Sequence, residues 1–223
     1  MAFEVDLQQP NYNELLTYLG VTGAVTYAPL SADIPEGMDN YAAPFVPVGW
    51  ISDEGITEST STENESFTPW QTNSPVREAT TSQEFTFSFT LWTVGGLATA
   101  LRYGVAESDM RWDETGEFAE FSQGGALPKD FRFRLGIDIL DGVKHRRFIL
   151  PAASVSESSD VTYQKGDLTG YPLTVKANLD SKLGYSIMRR FKEGWKPGKA
   201  GTALGSGGET FDLGDWSTPV TEE

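Results

Sequence analysis

Apolar and polar residues alternate along three stretches of this chain. In residues 82–92, Phe85, Phe87, Phe89 and Leu91 fall on one face and Thr86, Ser88 and Thr90 on the other. Residues 171–179 repeat the pattern, with Leu173, Val175 and Ala177 inward and Thr174, Lys176 and Asn178 outward. In residues 131–139, Phe131, Phe133, Leu135, Ile137 and Ile139 occupy every second place. A period of two is the mark of a half-buried antiparallel strand. Asp141-Gly142 follows the third stretch directly and predicts a tight hairpin turn into a strand over 143–150, because glycine tolerates the positive φ of such turns. A simple two-residue register sets Lys144 and Arg146 on the face of Ile139 and Ile137, which predicts a bulge or a longer loop there.

Helical signals are fewer. Asn11-Tyr12-Asn13-Glu14 has the form of a capping box, and Leu15, Leu16 and Leu19 lead to a stop at Gly20, so a short N-terminal helix is expected. Residues 94–103 carry Leu97, Ala98, Ala100 and Leu101 before Gly104, the spacing of one substantial helix packed on a sheet. Gly95 and Gly96 weaken its first turn. Residues 29–47 hold Pro29, Pro35, Pro44 and Pro47 with little periodicity and are expected to form a long loop or arm. Residues 56–68, ITESTSTENESFT, are rich in β-branched threonine yet nearly devoid of apolar groups. Burial cannot specify a strand polar on both faces, so the stretch is either a loop or a strand whose pairing comes from elsewhere. The expected organisation is a β domain over 1–195 and a flexible acidic Gly/Ser-rich tail over 196–223, in which Phe211 and Trp216 are the apolar exceptions.

Charge sharpens this picture. The net charge is −15, and no Lys or Arg precedes Arg77, whereas eleven Asp and Glu do. Such a chain is not built to hold DNA or anionic lipid by charge, since phosphate binding draws on Lys and Arg. The acidity is either a solubilising surface or one that must avoid nucleic acid; composition alone does not separate the two. There are no cysteines, so neither a disulfide nor a thiolate metal site is expected. The opening MAFEVDLQQP lacks the basic and apolar regions of a signal peptide, and no apolar run approaches the roughly 20 residues of a membrane span.

No catalytic constellation emerges. His145 is the only histidine, and its neighbours Lys144, Arg146 and Arg147 suggest an exposed basic turn rather than a proton shuttle. No His/carboxylate spacing suggests zinc. Gly205-Ser206-Gly207-Gly208 lacks the Lys and Ser/Thr of a phosphate loop. Asp113 and Glu114 form a carboxylate pair of the kind a glycosidase uses, but with 32 acids in the chain such pairs arise by chance. Six tryptophans allow an alternative reading, a carbohydrate-binding β-sandwich module, although they share no common spacing.

Four segments, in order, resemble the major tail tube proteins of siphophages, the long, non-contractile-tailed bacteriophages. TGAVTYAP at 22–29 is similar to the family's first strand before a Pro-rich loop. VGWISDEGI at 48–56 is similar to its VGYISEDGV signature, and WQTNSPVR at 70–77 to its WQ-x-x-x-PVR segment. GYPLTVKA at 170–177 is similar to its late strand. Together they cover about residues 20–180.

The resemblance implies a mainly β fold, an antiparallel β-sandwich or barrel-like domain with one flanking α-helix and long extended arms. It implies a non-enzymatic virion protein without cofactor or metal, assembled in the host cytoplasm into stacked hexameric rings around a DNA channel. A tape measure protein, tail assembly chaperones and a tail terminator are the implied partners, with no membrane association. DNA would pass without specific binding. Under this reading Asp53, Glu54, Glu58, Glu63 and Glu65 are candidate lumen-lining acids, because the stretch is β-prone, acidic and without a base before Arg77. The arms at 29–47 and 53–77 are expected to be mobile in the monomer and ordered in the tube.

Overall fold

The computed structural model describes residues 17–124 and 131–193. Among the described residues the protein is mainly β, with an antiparallel sheet and one α-helix. Among the described residues the strands are β1 (Thr22–Pro29), β2 (Val46–Pro47), β3 (Ile51–Phe67), β4 (Arg77–Leu91), β5 (Arg111–Trp112), β6 (Ala119–Glu120), β7 (Phe133–Asp141), β8 (Lys144–Glu157), β9 (Tyr171–Asn178) and β10 (Met188–Lys192). The main sheet runs β2-β1-β7-β8-β9-β4-β3, with β10 also paired to β8, while β5 and β6 form a separate two-stranded ribbon. The expected N-terminal helix lies outside the described residues up to residue 16, and its expected last turn, residues 17–20, is not helical; the C-terminal tail lies outside them. The described residues divide into two compact units, one within Ala24–Ile137 and Phe148–Arg189, the other of residues 17–23, 138–147 and 190–193.

In the first unit the alternating stretches become strands as their pattern requires. Phe87, Phe89 and Leu91 of β4 are buried, as are Leu173, Val175 and Ala177 of β9. These strands pair antiparallel, Phe87 opposite Val175 and Phe89 opposite Leu173, so their apolar side chains share one face. Phe148 of β8 joins them, its ring centroid 5.4 Å from that of Phe87. Each large side chain so removed from water contributes about 1.5–3 kcal/mol. β8 is buried continuously from Phe148 to Ala153, as befits a central strand covered on both faces. The helix α1 (Gly96–Tyr103) buries Ala98, Ala100 and Leu101 and ends at Gly104, whose φ of 64° is the left-handed stop that glycine permits. Tyr103 packs edge-on against Tyr171, tying the helix to β9.

The segment between β1 and β2 is a long loop, as expected, but one with a core of its own that makes it a strap. Ala28, Ala32 and Phe45 form a buried cluster with Tyr41 against it, and the Tyr41 and Phe45 rings lie 4.9 Å apart. A turn closes it at each end, Ala32 N–H donating to Pro29 O at 2.9 Å and Phe45 N–H to Ala42 O at 3.1 Å. Small residues and a few well-spaced rings suffice here because the strap packs onto Gly136 of β7. A Cβ at that position would stand 2.3 Å from Tyr41 Oη and 2.6 Å from Thr26 Oγ1. The hydropathy pattern misses such a strap because its apolar groups follow no regular period.

Residues 56–68 are neither a loop nor a strand waiting for another subunit. All but Thr68 belong to β3, which pairs with β4 of its own chain from Ile56 opposite Phe89 to Phe67 opposite Arg77. Burial does not set this register; backbone pairing and the turn do. Val76 N–H donates to Phe67 O at 3.0 Å, closing the loop of residues 68–76. Cross-strand polar bonds add to it, Thr80 Oγ1 donating to Asn64 Oδ1 at 3.0 Å and Ser82 Oγ to Glu63 Oε2 at 2.9 Å. The expectation that its pairing comes from elsewhere is therefore corrected.

In the second unit, β7 and β8 meet through the two residues Gly142 and Val143, not through a longer loop. Gly142 has φ 60°, as a tight turn asks. Lys144 and Arg146 are tolerated there because both are engaged. Arg146 lies 4.1 Å over the Tyr18 ring and forms an ion pair with Glu193, and Lys144 donates to the carbonyl of Thr17. Tyr18 Oη donates to Ile139 O at 2.6 Å, and burial raises the Tyr18 phenol above its ordinary value against the lowering effect of Arg146. His145 is not on an exposed turn. Its side chain is 14% exposed and its Nε2 stands 3.1 Å from Asp138 Oδ1. Arg147, almost wholly buried, donates from Nε and Nη2 to the two oxygens of the same carboxylate at 2.7 and 3.0 Å.

Candidate functional site: a hydroxyl-rich sheet face and an extended hairpin

The face of the first unit opposite its apolar core is built from the alternate residues of the same strands. On β4 these are Thr86, Ser88 and Thr90, and on β9 Thr174, Lys176 and Asn178. Ser154 of β8 stands opposite Lys176, and Thr57, Ser59 and Ser61 of β3 stand opposite Ser88, Thr86 and Glu84. Neighbouring hydroxyls satisfy one another: Ser88 Oγ lies 3.0 Å from Thr174 Oγ1, and Asn178 Nδ2 donates to Ser154 Oγ at 2.8 Å. Across β9, β4 and β3 the face is largely polar and nearly free of base, while β8 contributes Ser154 beside the buried Ala152. Its lysine, Lys176, is ion-paired with Glu84. A shallow groove of about 150 Å³ crosses it between Glu54, Thr57, Ser88 and Thr174.

β4 extends beyond β9. The last β9 pair is Thr86 with Lys176, while β3–β4 pairing continues outward to Phe67 and Arg77. This outer ribbon is polar on both faces and ends in Trp70, which is 99% exposed. The family-like segment WQTNSPVR is thus the end of the hairpin and the first residue of β4. Two-stranded ribbons are marginal by themselves, and exposed tryptophan is the residue most enriched at the centres of protein interfaces.

The five candidate acids do not form one row. Glu58 stands opposite Phe87 and therefore points to the core side, where Arg189 Nη2 donates to its Oε1 at 2.6 Å. Glu63 stands opposite Ser82 on the hydroxyl-rich side. Glu65 follows a register shift between Glu63 and Asn64. Asp53 and Glu54 fall in the irregular stretch between Ile51 and Ile56, where Gly55 takes φ 75°. All five are exposed. Sequence reasoning missed Arg189, Lys176 and Glu84, whose roles depend on pairings across the fold; their only local signal is charge on an alternating strand.

The competing chemistries find no support in the geometry. Asp113 is a turn-former: its oxygens accept from Phe118 N–H at 2.9 Å, Thr115 N–H at 3.0 Å and the Thr115 hydroxyl. The Phe118 amide and then the Thr115 hydroxyl hold its carboxyl below the ordinary range. Trp50, Trp70 and Trp112 are strongly exposed, but no ring pair among the described residues joins two tryptophans into a sugar platform. Among the described residues no group of three His, Cys, Asp or Glu is placed to hold a metal ion. No helix among them is long and apolar enough to cross a membrane.

Comparison with known proteins gives a family. Curated proteins yield no match. Among solved structures, a chain of the anti-feeding prophage baseplate, determined by cryo-EM with 6-fold symmetrisation, superposes with a TM-score of 0.37 at 9% identity, covering 78% of this chain and 97% of that one. The model of the phage tail tube protein family matches residues 9–188, which include all four family-like segments, the hydroxyl-rich face and the hairpin. The chain belongs to the phage tail tube protein family, structural proteins of the virion tail rather than enzymes.

Proposed function

We propose that this protein polymerises with copies of itself into stacked hexameric rings, forming the tail tube of a long-tailed, non-contractile phage and the conduit for DNA ejection. The observation that carries the proposal is the β3–β4 hairpin: an ordered ribbon that buries almost nothing, presents a long edge of β3 that is unpaired among the described residues, and ends in a fully exposed Trp70. A free edge of this length is a template for pairing with another chain. Contacts that repeat head to tail either close a ring or extend a filament, and a tube uses both. Tape measure protein, assembly chaperones and terminator are the further partners this reading implies, with assembly in the host cytoplasm.

In this reading the hydroxyl-rich face of β8, β9, β4 and β3 lines the channel. DNA adsorbs to a wall through Lys and Arg that release phosphate counterions. Here the wall offers hydroxyls, a lysine neutralised by Glu84, and Glu63 without an ion pair among the described residues. Asp53, Glu54 and Glu65 add acid along the same strand, whereas Glu58 is assigned to the other face. Sixfold repetition sums the field around the axis. Virions carrying Glu63→Lys should eject DNA several-fold more slowly than wild type at low salt and recover at high salt, where screening is stronger. Glu58→Lys should lack that salt signature. Equal salt profiles for both would remove Glu63 from the lining.

The assembly claim is tested by sedimentation velocity of the purified full chain over a range of concentrations. Cooperative appearance of very large particles above a threshold is expected. A monomer persisting at millimolar concentration contradicts it and favours a binding module.

A further inference from the structure

The hairpin leaves the sheet at one point, and that point carries an ion pair on each face. Lys176 is the last β9 residue paired to β4, opposite Thr86. One residue outward, Phe85 bears the Arg189 guanidinium 4.8 Å over its ring, and Arg189 reaches Glu58 Oε1 from Nη2 at 2.6 Å and from Nε at 3.2 Å. Glu58 shares the face of Phe87, so this contact lies on the core side. Lys176 Nζ meets Glu84 Oε1, and Glu84 stands opposite Ser61 on the hydroxyl-rich side. Beyond these contacts, among the described residues, β4 is paired to β3 alone.

We propose that Arg189 and Lys176 are positioning residues for assembly: the two ion pairs clamp the root of the hairpin from both faces and fix its direction for docking on the next copy. The inference rests on the tube reading for its consequence, but not for its geometry. A two-stranded ribbon free of further neighbours twists and swings about its root. A contact on one face resists swinging toward one side only, whereas contacts on both faces resist both. Side-chain exposures are 29% and 35% for the Arg189–Glu58 pair and 33% and 47% for the Lys176–Glu84 pair. Pairs so exposed add little to folding stability, so their effect falls on the direction of a lever rather than on the survival of the fold. Fixing that direction before docking removes an ordering cost from association. It also makes alignment sensitive to salt, which screens exposed pairs.

The test uses the full chain with Arg189→Gln and Lys176→Gln combined, and the charge swap Glu84→Lys with Lys176→Glu. In the double variant the melting temperature of the monomer should stay within about 3 °C of wild type. Amide hydrogen exchange over residues 60–67 and 77–85 should accelerate about tenfold, and the threshold concentration for polymerisation should rise about tenfold. The swap keeps an ion pair on each face and should hold both exchange and threshold close to wild type. Unchanged exchange in the double variant overturns the clamp, as does a swap that behaves like the double variant. A collapse of the melting temperature also overturns it, by making these residues props of the fold. Should the wild type itself fail to polymerise, the tube reading falls while the exchange measurement still decides the clamp.

Discussion

Replacing Arg147 by methionine is expected to destabilise the protein by about 3–5 kcal/mol, the range for removing one partner of a buried ion pair. The guanidinium is 2% exposed and donates to both oxygens of Asp138, itself 13% exposed. Without it that carboxylate keeps His145, 3.1 Å away, as its neighbour. The loss comes mostly from the charge left behind rather than from the bond removed. Pairing Arg147→Met with Asp138→Leu should therefore recover much of the stability, because a hydrophobic pair of similar volume replaces a desolvated ionic one. Urea unfolding of the wild type, the single variant and the double variant measures this directly. A single variant within about 1 kcal/mol of wild type, or a double variant no better than the single, would show that the pair does not hold β7 and β8 as described.

Gly136→Val should cost about 3 kcal/mol, at the upper end of the usual overpacking range, and lower the melting temperature by about 6–12 °C. The new Cβ would overlap Tyr41 Oη at 2.3 Å and Cζ at 2.5 Å, and Thr26 Oγ1 at 2.6 Å. The phenol ring cannot give way cheaply, since Tyr41 packs on Phe45, and Thr26 Oγ1 donates to Gly136 O at 3.3 Å. The strap of residues 30–45 should detach first. Adding Tyr41→Ala to Gly136→Val should return part of the loss by emptying the space the valine needs. Thermal unfolding of both variants provides the check, and a Gly136→Val protein melting with the wild type would mean that the strap does not sit on β7.

The parts of this fold that are legible in the sequence are those where one face is buried and the other wet. β4 and β9 carry their burial as alternation, so the inward placement of Phe87, Phe89, Leu173 and Val175 follows from the order of residues alone. α1 is legible because its apolar spacing ends on Gly104, although it begins at Gly96, where Gly95 supplies no side-chain cap. β3 is not, because it is a strand held by its partner's backbone and polar groups, and no periodicity reports that. The strap is not, because its packing on Gly136 depends on close approach rather than on hydrophobicity.

The candidate site is legible only in outline. Alternation places Glu58 and Glu63 on opposite faces, but the cation that claims Glu58 lies at Arg189, 131 residues away. His145 departs from the exposed turn that its basic neighbours suggest. A two-residue turn at Gly142-Val143 brings Arg147 to Asp138, and His145 lies against the same carboxylate. The four family-like segments are more informative: their glycines Gly49 and Gly170 sit where a Cβ would meet Thr93 at 2.4 Å and Thr90 at 2.5 Å, so these motifs record close packing.

The most direct measurement of the central claim is cryo-electron microscopy of the purified chain concentrated without other tail proteins. The account predicts hollow tubes of stacked sixfold rings, with the β3–β4 hairpin and Trp70 in contact with a neighbouring copy and the hydroxyl-rich face of β8, β9, β4 and β3 turned to the channel. Monomers alone, solid filaments without a channel, or tubes whose lumen is lined by another surface would contradict it.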